Sequence, residues 1–201
     1  YLDIVSNSWG GFLYGDYELV FPVVYKKIFF YKQIYHPFFC QQLGPFARNI
    51  KLSNSKVILL HLIKVINNTY NSFDFSINHN MSIIFNNIIL KNKFQIDINH
   101  RVNLELDLNQ SYHNLILNYS NQHQRTLTTS INNYKWDLKN DSINVSDYIN
   151  EFIWLHKKHI AWKAGLHKNH YQIMRTLMES CVQKNIGFFV GLRNQDSKLL
   201  A

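Results

Sequence analysis

The chain has 201 residues, of which 46% are hydrophobic and 17% charged, enough apolar material for one full domain. This composition excludes a disordered chain, and the length excludes a small disulfide-stapled peptide. The net charge of +8 is spread evenly, with nine Lys or Arg against five Asp or Glu in residues 1–100 and twelve against eight in residues 101–201. No basic tail dedicated to nucleic acid is therefore present.

A β-hairpin is predicted close to the beginning of the chain. Residues 10–14 and 17–25 are rich in aromatic and β-branched side chains, and Gly15-Asp16 between them can form a tight turn. Pro22 lacks the N–H that a sheet ladder needs, so we expect it at a sheet edge or a bulge.

The next segment combines cations with aromatic residues. Residues 26–32 read KKIFFYK, a mixture typical of an interfacial membrane segment or of a single-strand-binding surface. The sequence nevertheless favours an ordinary connection between strands, with the aromatic rings in the core and the lysines in water. Residues 32–36 are predicted to form a strand, followed by an irregular apolar connection between Pro37 and Pro45.

The middle of the chain alternates between helical and strand patterns. Apolar residues three and four apart predict a helix over 53–68, with Ser53 as its N-cap. Residues 73–77 alternate as in a strand, and residues 81–90 fit no single class. Two alternating runs, 94–98 and 102–108, predict a second hairpin turning near His100, and residues 112–133 favour a helix.

A second unit is predicted from residue 134. The expected elements are a strand over 134–138, a helix after Ser146 that Gly165 breaks, a helix over 167–184, a strand over 186–192 and a turn over 194–197. We therefore expect two domains, 1–133 and 134–201. Cys40 and Cys181 match no zinc-binding spacing, so no metal is expected. No apolar run is long enough to span a membrane, so a cytoplasmic protein is expected.

Two stretches carry a resemblance to a known family. The first is GFLYGDYELVFPVVYKK, which leads into IYHPFFCQQLGPF, and the second covers residues 147–191. They resemble the GNAT superfamily of N-acyltransferases, in the tandem-domain form similar to the Fem-type peptidoglycan aminoacyltransferases. The resemblance implies an α+β fold in which helices flank a twisted mixed sheet. It also implies a first unit that lacks only an initial strand and helix, and a second unit that is truncated.

The resemblance also implies a function. Such enzymes transfer an acetyl or aminoacyl group to an amine on a small-molecule or peptide acceptor, from acetyl-coenzyme A, another acyl-coenzyme A or an aminoacyl-tRNA. The donor binds where two neighbouring strands splay, and a glycine-containing loop that opens a helix holds its pyrophosphate. Residues 41–44 are the closest candidate for that loop, with a single glycine. The second unit's loop would lie beyond Ala201, so this 201-residue chain is expected to be inactive by itself.

Four residues are candidates for substrate binding. Gln41 and Gln42, together with Tyr35, are polar groups in an apolar segment, where they either contact an acceptor or satisfy local backbone groups. Arg125 lies in NQHQRTLTT, which looks like a basic interdomain helix of Fem-like proteins, although a solvated helix face explains it equally. No general base is identified. The alternative function is a non-catalytic basic domain that contacts nucleic acid or an anionic surface.

Overall fold

The computed structural model describes residues 1–48, 52–92, 96–139 and 145–201. The chain forms two compact units, Tyr1–Asn103 and Leu104–Ala201. The division between the units therefore lies at residue 103, whereas the sequence predicted it at residue 133. The GNAT-like character of each unit stays a prediction. The fold class is α+β, as predicted, with a mixed sheet flanked by helices.

The first unit is built on a mixed sheet. Its elements are α1 (Leu2–Val5), β1 (Trp9–Tyr14), β2 (Leu19–Ile28), β3 (Tyr31–Ile34), β4 (Phe46–Ala47), α2 (Leu52–Thr69), β5 (Ser72–Phe73) and α3 (His79–Asn92). The strand order is β1-β2-β3-β5, with β4 also paired to β2. All pairs are antiparallel except β3 with β5, which are parallel and joined through α2.

The predicted first hairpin is confirmed, with a longer turn than expected. β1 and β2 pair from Trp9 with Val24 to Tyr14 with Leu19. The turn spans four residues, 15–18, and the Glu18 amide donates to the Tyr14 carbonyl over 3.0 Å. Gly15 has a φ of +58°, the positive value for which a glycine was expected there.

Pro22 lies where its missing N–H costs nothing. The Tyr25 amide donates to the Ser8 carbonyl, and hydrogen-bonded pairs alternate along an antiparallel ladder. Pro22, paired with Gly11, therefore occupies a non-hydrogen-bonded position, so its nitrogen faces away from β1. On that other side β4 pairs only with Leu19 and Val20, and β3 pairs only from Tyr25 onward. The expectation of a local sheet edge is confirmed.

The core of the first unit lies between β2 and the helices α2 and α3. Alternate residues of β2 point into it, and α2 presents apolar residues at helical spacing, so one face of each element is buried. The buried set is Leu19, Phe21, Val23, Ile34, Leu59, Leu62, Ile63, Ile66, Met81, Ile84, Phe85, Ile88 and Ile89. α2 confirms the predicted helix, but it begins at Leu52, so Ser53 is not its N-cap. The pattern over 81–90 belongs to a helix, α3.

The predicted second hairpin is wrong. Phe94 and Gln95 lie outside the described residues, and residues 96–107 contain no strand. Val102 and Leu104 are 88% and 89% exposed, although both belong to the alternating apolar run. An alternating pattern only allows a strand to bury one face. A strand also needs a partner, and none of the described strands pairs with this run.

The second unit combines helices with a two-stranded ladder. Its elements are α4 (Tyr112–Leu117), α5 (Asn121–Asn133), β6 (Lys135–Lys139), α6 (Val145–His159), α7 (Ala161–Ala164), α8 (Lys168–Gln183) and β7 (Phe189–Arg193). The single helix predicted over 112–133 is two helices, because Ser111 and Ser120 each cap a helix by accepting from the amide three residues on. The predicted strands and helices after residue 134 are confirmed.

The core of the second unit lies between α6 and α8. Ile149, Ile153, Tyr171 and Met174 are buried together, and Phe189 of β7 packs against them. β6 and β7 are antiparallel, and Leu192 also exchanges backbone hydrogen bonds with residues 200 and 201. Of the helices described in either unit, none combines the length and the apolar character needed to cross a membrane.

Candidate functional site

The candidate site lies at the carboxyl end of the parallel strands β3 and β5. Ile34 pairs with Phe73, and the Asp74 amide donates to the Ile34 carbonyl over 3.0 Å. The ladder of the two described strands ends at this pair, but the segments that follow remain hydrogen-bonded. The Leu43 amide donates to the Ser76 carbonyl over 3.0 Å, and the Asn78 amide donates to the Gly44 carbonyl over 3.3 Å. Ligand sites in open sheets form outside the carboxyl ends of parallel strands, where the chains leave the sheet.

The imidazole of His36 lies between the segment that follows β3 and the segment that follows β5. The Ser76 amide donates to Nδ1 over 3.2 Å, and Nε2 lies 2.6 Å from the Cys40 carbonyl oxygen. A backbone N–H can only donate, so Nδ1 is the acceptor and Nε2 carries the proton that it donates to Cys40. His36 thus joins the chain after β3 to the chain after β5 and holds the following loop in place.

Gln41 and Gln42 belong to this loop, as expected, and Tyr35 begins it, because β3 ends at Ile34 rather than at residue 36 as predicted. The Tyr35 hydroxyl lies 3.3 Å from Oγ of Ser6, and its ring lies 5.8 Å from Nζ of Lys26. Gln41 is exposed, and its Nε2 donates to Oδ1 of Asn103 over 3.3 Å. Its Oε1 accepts no hydrogen bond from the described residues. Gln42 is half-buried, and its backbone carbonyl accepts from the Cys40 thiol.

The segment 41–44 does not have the geometry of a pyrophosphate loop. Gly44 has a φ of +94° and is buried. A Cβ at this position would lie 3.3 Å from atoms of Phe21, Pro22 and Phe46. The glycine is therefore required by close packing of the chain on aromatic rings, and the space beside it is filled by protein rather than open to a phosphate.

Arg125 lies in the second unit, on the exposed surface of α5. It lines an open groove of about 580 Å³ together with Gln122, Thr126, Thr129, Ser130 and Tyr134. The hydroxyls of Thr126 and Thr129 donate to carbonyls of their own helix, so they are engaged within α5. Because Arg125 belongs to a different unit from the Tyr35–Gln42 loop, the four candidates do not form one described site.

The second unit also carries a basic surface with exposed indoles. Residues 152–178 contain five Lys or Arg and no Asp or Glu. Nζ of Lys158 lies 5.0 Å from the ring centroid of Trp154, and Nζ of Lys163 lies 5.1 Å from that of Trp162. Across the described ranges, no three His, Cys, Asp or Glu side chains come together in a way that could hold a metal ion.

Sequence reasoning missed the role of His36. The available signal was its position at the end of a predicted strand and directly before Pro37, in a segment where the chain must leave the sheet. What the sequence does not reveal is the Ser76 amide, which reaches the imidazole from a segment 40 residues away.

Different substitutions of His36 can remove its two hydrogen bonds one at a time. His36→Ala is expected to lower the free energy of unfolding of the first unit by about 1–3 kcal/mol, because the Ser76 N–H and the Cys40 carbonyl both lose a partner. His36→Asn keeps an acceptor near the position of Nδ1, whereas His36→Gln keeps a donor near that of Nε2. Amide hydrogen exchange at Ser76 should therefore accelerate in the Ala and Gln variants and remain slow in the Asn variant. Equal protection of Ser76 in all three variants would contradict this assignment.

Comparison of the chain with family models, with curated proteins and with solved structures gives no match.

Proposed function

We propose that the protein is an N-acyltransferase of the GNAT type whose amine acceptor binds beside the Tyr35–Gln42 loop. One observation carries the proposal: β3 and β5 are parallel, are connected through α2, and end at the point where this loop begins. The resemblance implies that the acyl donor binds where two neighbouring strands splay, and we place the amine acceptor beside the same strand ends. The family assignment, a cytoplasmic location and tRNA as an alternative donor and partner belong to the same proposal.

The chemistry of N-acyl transfer defines what the loop must supply. The amine nitrogen forms a bond to the activated carbonyl carbon, the thiolate or alkoxide of the donor leaves, and the amine loses a proton. Most of the rate enhancement in such a reaction comes from orientation of the amine and from donors aimed at the oxyanion. Gln41 offers the acceptor Oε1 at the exposed end of the loop, where it can orient an amine N–H.

His36 is a positioning residue in this proposal. Both of its ring nitrogens are occupied by backbone groups, with Nδ1 accepting and Nε2 donating, so the ring has no free lone pair with which to take a proton from the amine. Its contribution is to hold the loop that carries Tyr35 and Gln41. The residue that accepts the amine proton is therefore another group or a water molecule.

The acyl donor is a coenzyme A thioester or an aminoacyl-tRNA by resemblance. The packed surroundings of Gly44 do not fit a coenzyme A pyrophosphate. No step of the proposal is therefore drawn through bound coenzyme A, and the proposal concerns the acceptor side.

Acceptor binding can be tested with a short peptide whose only free amine is that of a lysine, such as Gly-Lys-Gly with an acetylated amino terminus. Addition of the peptide should shift the side-chain amide signals of Gln41 and the backbone signals of residues 35–42 in a nitrogen-15 NMR titration. Gln41→Ala should weaken binding about three- to tenfold, the effect of one lost hydrogen bond. The matched control Gln122→Ala, on the exposed surface of α5, should bind as the wild type does.

Two outcomes would contradict the proposal. One is an affinity that Gln41→Ala leaves unchanged, and the other is equally tight binding of the same peptide after acetylation of the lysine, since acetylation removes the amine that the loop would orient. Binding of single-stranded RNA with a steep dependence on salt would instead favour the alternative, a non-catalytic basic domain.

A further inference from the structure

The turn between β2 and β3 exposes two phenylalanines at its tip. Ile28 pairs with Tyr31, so Phe29 and Phe30 alone form the turn. Phe29 is 87% exposed and Phe30 is 97% exposed. Phe29 also has a φ of +53°, a conformation in which such turns normally use Gly, Asn or Asp. Neither core packing nor turn geometry explains two phenylalanines here, and the expectation that these rings lie in the core does not hold.

Three lysines, called here the lysine collar, lie behind this Phe29–Phe30 tip on β2 and β3. Lys27 and Lys32 are directly opposite each other in the register of β2 and β3, and Lys26 precedes them. Like charges at opposite positions of an antiparallel pair are unfavourable. Residues 19–73 contain no Asp or Glu, so no carboxylate of this stretch offsets the repulsion. An anionic partner would relieve it.

A groove opens beside the two opposed lysines. It has a volume of about 480 Å³, and Gly10, Gly11, Tyr25 and Tyr70 line it together with Lys27 and Lys32. Gly10 lacks a side chain on the face of the sheet that carries Tyr25, which leaves room over β1. Burial, with a smaller contribution from Tyr25, raises the pKa of the Tyr70 phenol, so this group remains a neutral hydrogen-bond donor at physiological pH. Two ammonium groups and a phenol are a suitable set of donors for a phosphate.

We propose that the β2–β3 hairpin docks the protein on an anionic phospholipid bilayer, with the Phe29–Phe30 tip inserted and Lys27 and Lys32 bound to headgroup phosphates. The order of the groups along the hairpin fits a membrane interface. Because a strand rises about 3.3 Å per residue, the lysines lie roughly 7 Å behind the tip. Apolar groups at a bilayer interface lie about 5–10 Å deep in the boundary between headgroups and acyl chains. This depth is similar to the distance between the rings and the lysines, so the lysines reach the phosphates when the rings reach the acyl chains.

Nucleic acid is the competing partner, and the position of the rings argues against it. Single-stranded nucleic acid binds along a groove in which aromatic rings and cations are interleaved. Here the most exposed rings occupy the end of a turn, and the lysines lie together behind them. This separation matches the layers of a bilayer. The proposal is independent of the acyl transfer proposed above.

Vesicle co-sedimentation tests the proposal with the full chain. Vesicles of phosphatidylcholine with about a quarter phosphatidylglycerol should bind at least about tenfold more tightly than vesicles of phosphatidylcholine alone. The tip double variant Phe29→Asn with Phe30→Ser and the collar double variant Lys27→Gln with Lys32→Gln should each weaken binding about tenfold or more. All four residues are exposed, so the fold should persist, which circular dichroism can verify.

Matched controls come from the exposed surface of α2. Val57→Ser removes an exposed apolar group and Lys64→Gln removes an exposed charge, both in the same unit, and both should leave vesicle binding unchanged. Insertion itself is read from Phe30→Trp. Relative to wild-type protein, its fluorescence should gain a blue-shifted component on vesicle addition, and brominated lipid should quench that component.

Three outcomes would overturn the proposal. The first is vesicle binding that neither double variant weakens, and the second is binding without a blue shift at position 30, which would indicate electrostatic adsorption without insertion. The third is failure to bind anionic vesicles together with binding of polyuridylate that the same variants abolish, which would assign the surface to nucleic acid.

Discussion

Phe21→Ala is expected to lower the free energy of unfolding of the first unit by about 3–5 kcal/mol. The Phe21 side chain is fully buried at the centre of β2. Its ring packs edge-on against Phe75, with 5.1 Å between the ring centroids, and it also supports the backbone at Gly44. Truncation to alanine would leave a cavity between the sheet and the helices, and the loss of stability includes both the lost transfer energy and the cavity.

The measurement is urea unfolding, followed through the backbone amide signals of β1 and β2. The matched control is Val20→Ala, the preceding residue, whose half-buried side chain lies on the other face of the same strand. Its expected cost is at most about 1 kcal/mol, because less apolar surface leaves the protein interior. Equal losses for the two variants would show that the buried face of β2 has been assigned incorrectly.

Gly44→Ala is expected to destabilise the first unit by about 2–4 kcal/mol. Two costs add at this position. A φ of +94° strains any residue with a Cβ, and the new methyl group would lie 3.3 Å from each of three neighbours, Phe21, Pro22 and Phe46. Phe46 follows Gly44 by two residues and Pro22 belongs to β2, so the loop that carries Gln41 and Gln42 would have to shift as well.

Gly15→Ala separates these two costs. Gly15 also has a positive φ, +58°, but an added Cβ would meet only the flexible side chain of Glu18. Its expected cost is therefore the conformational term alone, about 1–2 kcal/mol. Thermal unfolding monitored by circular dichroism compares the two variants. If they proved equally stable, the packing around Gly44 would be looser than the distances indicate.

The candidate site was predictable in part. Tyr35, Gln41 and Gln42 stand out because polar side chains in an apolar segment must find partners, and they do lie in one loop at the end of β3. Arg125 was a candidate on the strength of a resemblance, and it lies in the other unit. The role of His36 depends on the Ser76 amide. The exposure of Phe29 and Phe30 depends on how the other described residues pack, since none of them covers these rings. Neither is a local property of the sequence.

Elements with a local pattern could be predicted from the sequence. The first hairpin was predicted from a glycine at its turn and from the aromatic and β-branched residues of β1 and β2, and helices α2, α6 and α8 were predicted from helical spacing. Which apolar runs found partners depended on long-range packing. The runs over 19–25 and 102–108 are both rich in apolar residues, yet only the first forms a strand in a sheet covered by helices. The physical reason is that periodicity states which face a segment could bury, whereas burial requires a second surface, which long-range packing alone provides.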